Sequence, residues 1–208
     1  MKVEQVVEEF FTDGVERHFI KGELLLIPDM IQAPPISYLT SGQVVQYDID
    51  DAGNRAVVNI FKPGAFFPLP VAVIEARVEY FFEATTDVTV RQVEAARVRQ
   101  FLQSEPEVVY DVLSRVYRGM EGVMGRMTQL LNGDAKSRVR YELSILAERF
   151  GTKNRVGTDI EVTAGQLAEM TGLTRETVSR TLKALQQEER VRLRRGAVTV
   201  IELGLGDD

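Results

Sequence analysis

Residues 162–203 read VTAGQLAEMTGLTRETVSRTLKALQQEERVRLRRGAVTVIEL, and this stretch decides the fold. Thr163 and Gln166 have the spacing of a capping box, so a helix opens there. Ala168, Gly172 and Val178 then fall at the spacing of a helix-turn-helix. Ala168 is small enough for a second helix to cross closely, Gly172 permits the positive φ of a tight turn, and Val178 plugs the gap between the helices. Thr174 caps the second helix, whose Val178, Leu182 and Leu185 lie at i, i+4 and i+7 and face inward. The opposite face carries Arg175, Glu176, Ser179 and Arg180 near the amino-terminal end, the end that enters a major groove when such a helix reads DNA. Arginine donates two hydrogen bonds to guanine O6 and N7, and a carboxylate accepts from cytosine N4, so Arg175, Glu176 and Arg180 predict half-sites containing G·C pairs. Thr174, Thr177, Ser179 and Lys183 are placed for phosphate contacts, which set register and affinity. Residues 190–202, RVRLRRGAVTVIE, alternate around Arg195-Gly196 as a basic hairpin, a wing whose tip residues Arg194 and Arg195 are expected at backbone phosphate.

Just upstream, SRVRYELSILAERFG (137–151) reads as a helix with Val139, Leu143, Leu146, Ala147 and Phe150 on one face, and TDIEVT (158–163) as a short strand. Before these lies a longer helix beginning near residue 104, with Glu105, Glu107 and Asp111 at its positive end. Its apolar residues Val109, Leu113, Val116, Met120, Val123, Met127 and Leu130 alternate by four and three, an unbroken a/d seam that calls for a partner helix. LLNGDA (130–135) stops this helix at Asn132-Gly133, with Asp134 available to cap the next, so a boundary or hinge is expected near 132–135. Inside the seam, RVYRGMEGVMGRM (115–127) holds Gly119, Gly122 and Gly125, each costing a helix roughly 1 kcal/mol relative to Ala. They fall at g, c and f, leaving the seam intact. They are therefore read as room for close approach of the β-rich half, or as a hinge.

Residues 15–95 contain short β-rich runs broken by turns: HFIKGELLLIP, ISYLTSGQVVQYDIDDAGNRAVVNIFKPGAFFP and DVTVRQVEAA. Asp51-Ala52-Gly53-Asn54 between two alternating stretches is hairpin chemistry, and the spacing of the runs argues for a compact roll or barrel. The chain thus reads as α+β: a jelly-roll-like β-roll (double-stranded β-helix) over 1–103, a dimerisation helix over 104–131 and a winged helix-turn-helix over 132–208.

Composition narrows the function. The 208 residues carry 25 basic and 31 acidic side chains, unevenly spread: net −7 over residues 1–131 and net +1 over 132–208. Nucleic-acid contact is therefore expected to be local to the carboxy-terminal part. Zero Cys excludes disulfides, thiolate-held clusters and Cys zinc sites, and a single histidine, His18, leaves no histidine-rich metal site. A cupin-type enzyme would need such histidines, and neither a nucleophile elbow nor a P-loop is present, so no enzyme and no cofactor are expected. No apolar run approaches 18 residues, and MKVEQVVEEFF lacks the form of a signal peptide, so a cytoplasmic protein without a membrane segment is expected. The competing class is a dimeric interaction module whose winged helix binds protein; it would not need the bidentate set of Arg175, Glu176 and Arg180.

LTRETVSRTLKAL with the preceding TAGQLAEMTG resembles the DNA-binding domain of the Crp/Fnr transcription regulators. KGELLL, ISYLTSGQVVQYDID and FKPGAFFP resemble that family's cyclic-nucleotide-binding roll. The resemblance covers nearly the whole chain in the expected order. It implies a homodimer on a pseudo-palindromic promoter site with TGTGA-like half-sites, base reading by Arg175, Glu176 and Arg180, and contact with RNA polymerase. Relatives that bind cyclic AMP carry Gly-Glu at a short helix and a later Arg-Ser or Arg-Thr. Here LPVAVIEARVEYFFEATTDVTV (69–90) has no such Gly-Glu, and Arg77 is followed by Val78, so cyclic AMP is disfavoured. Where such relatives place polar pocket residues on the dimer helix, this chain has Gly122, Val123 and Met124. The resemblance therefore leaves Phe66, Phe67, Arg77, Tyr80, Gly122 and Val123 as the candidate pocket of a small-molecule effector, unknown or absent. The aromatic residues there also suit a plain core.

Overall fold

In the computed structural model, which describes residues 2–29 and 33–203, the β-rich stretch becomes two four-stranded antiparallel sheets. One runs β1 (Val15–Phe19), β8 (Val88–Val93), β3 (Ile36–Ser41), β6 (Phe66–Phe67); the other β2 (Leu24–Leu26), β7 (Phe81–Ala84), β4 (Val44–Ile49), β5 (Arg55–Phe61). Their apolar faces enclose one core, in which Ile36, Leu39, Val44, Phe67 and Val90 are fully buried. The β4–β5 hairpin turns as its sequence predicts: the Asp50 carboxylate accepts the backbone N–H of Ala52 and Asn54, and Gly53 sits at φ 83°. Those bonds hold the Asp50 carboxyl below its ordinary range, the Asn54 side chain contributing most.

Three helices close this core. Helix α1 (Val3–Thr12) delivers Phe11 onto Tyr38 with ring centroids 5.1 Å apart, α2 (Leu69–Ile74) buries Val71 and Ala72, and α3 (Ala95–Ser104) buries Val98, Phe101 and Leu102. The sequence reading begins its helix near 104 and misses α3. Pro106 separates two helices here: it cannot donate, and it holds Glu105 out of helical geometry at φ −122°, ψ 80°.

Helix α4 (Pro106–Asn132) follows, and the chain divides into two compact units within it, between Val116 and Tyr117. All seven predicted seam residues remain 42–60% exposed. As expected, α4 stops before Gly133 and Asp134 caps α5 (Ala135–Phe150), its carboxylate accepting the Ser137 N–H at 2.8 Å.

The second unit places α5 with α6 (Ala164–Thr171) and α7 (Arg175–Gln187) against a four-stranded antiparallel sheet, β11 (Val191–Arg194), β12 (Ala197–Val200), β10 (Thr158–Glu161), β9 (Thr152–Lys153). Val139, Leu143, Leu167, Val178 and Leu185 are fully buried between these layers. One charged pair joins the core. Glu142 is 1% exposed and accepts a two-pronged bond from Arg126 of α4, at 2.8 and 2.7 Å. The pair raises the Arg126 pKa above its ordinary value against the cost of burial.

The same side of α4 explains one glycine. A Cβ at Gly125 would overlap the Tyr141 ring of α5, so Gly125 makes room for the next helix, where the sequence reads room for the β-rich half or a hinge. A Cβ at Gly119 or Gly122 would meet nothing within 4 Å. Among the described residues, no helix is long and apolar enough to cross a membrane.

Candidate nucleic-acid interface

The helix pair is assembled from local chemistry. Thr163 accepts the Gln166 N–H at 3.2 Å while Gln166 accepts the Thr163 N–H at 2.9 Å, closing the capping box. Gly172 lies at φ 65°, ψ 26°, the left-handed turn that a side chain would strain. Thr174 then caps α7 by accepting the Thr177 N–H, and the two hydroxyls bond each other at 3.0 Å. Val178, Leu182 and Leu185 turn inward and are buried, while Ala168 is half-buried on α6.

With that face fixed, Arg175, Glu176, Ser179, Arg180 and Lys183 fall within an arc of about 140° on the outer side of α7, at 100° per residue. Arg175, Glu176, Arg180 and Lys183 are exposed, and none of the four has a hydrogen bond or ion pair among the described residues. Ser179 and Thr177 are half-buried beside them, and Thr174 is exposed. Three cations and one carboxylate therefore stand without side-chain partners among the described residues, Arg175 and Glu176 in the positive first turn of the helix, with hydroxyls around them. Such a surface donates to base edges and to phosphate, and offers one acceptor for an amino group.

The two arginines at the tip of the wing differ in their surroundings. Arg194 is held in a network in which it pairs with Asp159 at 2.5 Å and donates to Thr199, while Thr199 donates to Asp159 at 2.7 Å. Asp159 pairs with Thr199 across the β10–β12 ladder, a register of distant residues that no local signal reveals. The Thr199 hydroxyl first, and Arg194 second, hold the Asp159 carboxyl below its ordinary range. Arg195 is exposed at the turn, before Gly196 at φ 73°, and has no partner among the described residues. Of the two tip arginines, one is already neutralised.

The candidate effector residues of the first unit stand in different surroundings. Phe67 is 1% exposed and lies in a stack with Phe61 and Phe82, centroids 4.8 and 5.3 Å away. Phe66, on the other side of the strand, is half-buried 5.7 Å from Phe11. Arg77 is exposed and Tyr80 half-buried, whereas Val78 points into the core. Glu75 pairs with Arg99 at 2.7 Å. Gly122 and Val123 belong to the second unit, half-buried and exposed respectively.

Residues 137–204 match the Crp-like helix-turn-helix domain, and residues 16–105 match the cyclic nucleotide-binding domain. Among curated relatives, the cAMP-activated global transcriptional regulator CRP of Haemophilus influenzae is 23% identical over 88% of this chain and 82% of its own length. The transcriptional regulator SdrP of Thermus thermophilus is 25% identical over 89% of each. Among solved structures, the c-di-GMP responsive global regulator CLP of Xanthomonas campestris superposes with a TM-score of 0.78 at 21% identity, covering 94% of this chain and 98% of its own. A CRP/FNR-family regulator of Thermus thermophilus gives 0.72 at 23% identity, covering 91% and 94%.

Proposed function

The chain belongs to the Crp/Fnr family of DNA-binding transcription regulators, and we propose that it works as a homodimer, paired through α4, that reads a pseudo-palindromic site with TGTGA-like half-sites. The observation that carries the reading is the exposed set Arg175, Glu176 and Arg180 at the amino-terminal end of α7, without partners among the described residues. Two such helices related by a dimer axis read two half-sites one helical turn apart, which is why the site is palindromic. The seven seam residues exposed along α4 support the pairing. Lys183 and Arg195 grip phosphate, with the Thr174, Thr177 and Ser179 hydroxyls beside them. RNA polymerase is the expected partner at the promoter.

The residues present do not fit cyclic AMP. A cyclic phosphate needs a buried cation, but Arg77 is exposed, Val78 is buried where the loop turns in, and stacked phenylalanines fill the roll beside α2. The roll therefore answers to a different effector or to none.

A random-site selection on the purified chain tests this. Enrichment of a palindrome with G·C pairs in each half-site is the expected result, and Arg180→Ala should lose about 1–3 kcal/mol of discrimination at one base pair per half-site. No sequence preference, with or without added metabolites, would overturn the reading and favour a winged helix that binds protein.

A further inference from the structure

One position beyond each d residue of the α4 seam stand Tyr110, Tyr117, Met124 and Leu131, seven apart, and all four are 60–72% exposed. This is the e row, which in two-stranded coiled coils is often charged; here it carries no charge. The g row on the other flank is engaged by its own chain: Val112 packs on the roll's core, and Arg126 is held by Glu142. Between those two lies Gly119, also at g, where a Cβ would meet nothing within 4 Å.

In a parallel pair of such helices, e residues of one lie against g residues of the other. Residue 119 on one helix then faces the partner's Met124. We propose that the dimer face comprises the a, d and e rows together, with Gly119 as the socket over which the partner's Met124 packs. This rests on the α4 dimer reading and adds its occupant and its geometry.

Area supports the wider face: a standard interface buries roughly 800 Å² per partner, and the e row adds four large side chains, 60–72% exposed, to the a and d side chains, which are 42–60% exposed. An a/d/e stripe is also the width expected of a helix that buries more than a narrow seam. Gly119 sacrifices helix propensity in the monomer because its missing side chain is used in the dimer.

Sedimentation equilibrium of the full chain carrying Gly119→Gln or Gly122→Gln tests the socket, since both changes raise helix propensity equally and Gly122, at c, lies outside the proposed face. Helicity by circular dichroism should be unchanged in both. Gly119→Gln should weaken dimerisation about tenfold, Gly122→Gln should change it less than about threefold, and Met124→Ala should remove most of the Gly119→Gln effect. Equal dimerisation by the two glutamine variants overturns the socket while leaving the α4 dimer standing. A wild-type chain that is monomeric at micromolar concentration overturns both.

Discussion

Arg194 and Arg195 are neighbours on one hairpin, yet only Arg195 is predicted to add to the salt dependence of DNA binding. Each phosphate contact contributes a slope of about −0.9 to the dependence of log K on log salt. Arg195 has no partner among the described residues, so Arg195→Ala should flatten the slope by about 0.9 for each protomer bound, measured by fluorescence anisotropy on a fixed duplex. Arg194 already pairs with Asp159 at 2.5 Å, and Asp159 is a carboxylate at neutral pH, held further below its ordinary range by Thr199 and Arg194. Arg194→Ala should therefore leave the slope unchanged. Asp159→Asn releases the guanidinium and should steepen the slope by up to about 0.9 per protomer, tightening binding most at low salt. Combining Asp159→Asn with Arg194→Ala should return the wild-type slope. If Arg194→Ala alone flattens the slope as much as Arg195→Ala does, the ion pair opens on DNA and the reasoning is refuted.

The buried pair gives a second prediction: Arg126→Met leaves Glu142 without its cation and should cost about 3–5 kcal/mol in denaturant unfolding, whereas adding Glu142→Leu should recover most of that. Equal stability of the single and double variants would contradict it. A third concerns acid. Bonds from Ser137 lower the Asp134 pKa in the folded state, so its contribution is complete above the unfolded value of about 3.9 and is lost as pH falls through the lower folded value. Asp134→Ala should cost about 1 kcal/mol at neutral pH, and a gap in thermal stability that survives well below that window would count against the cap.

What was legible in the sequence was what is decided within a few residues. Thr163 with Gln166, Gly172, and Thr174 each act on the nearest turn, and the recognition face follows from them by helical periodicity. The Asp50–Asn54 turn is equally local. The features missed depend on where distant segments meet. Asp159 reaches Arg194 only through the β10–β12 register, and the reason for Gly125 stands on the next helix, at Tyr141. Glu142 did leave a trace, since it is a charge beside Val139, Leu143 and Leu146 on an otherwise apolar face. Helix α3 left less, because AARVRQFLQS offers only Val98, Phe101 and Leu102 as a stripe and its amphipathicity ends at Pro106.

The Arg126–Glu142 bond also separates what is recognisable from what can stand alone. Residues 137–204 match a domain by sequence, yet the arginine that neutralises that domain's buried glutamate is contributed from α4, eleven residues before the match begins. A fragment cut at Gly133 would carry every side chain of the proposed DNA-reading set but would lack Arg126, the hydrogen-bonded partner of its buried Glu142. A fragment cut near Tyr117 would keep the charge paired, with about four extra turns of helix. Inheritance of the winged helix as a movable module therefore means inheritance of the end of the dimer helix with it.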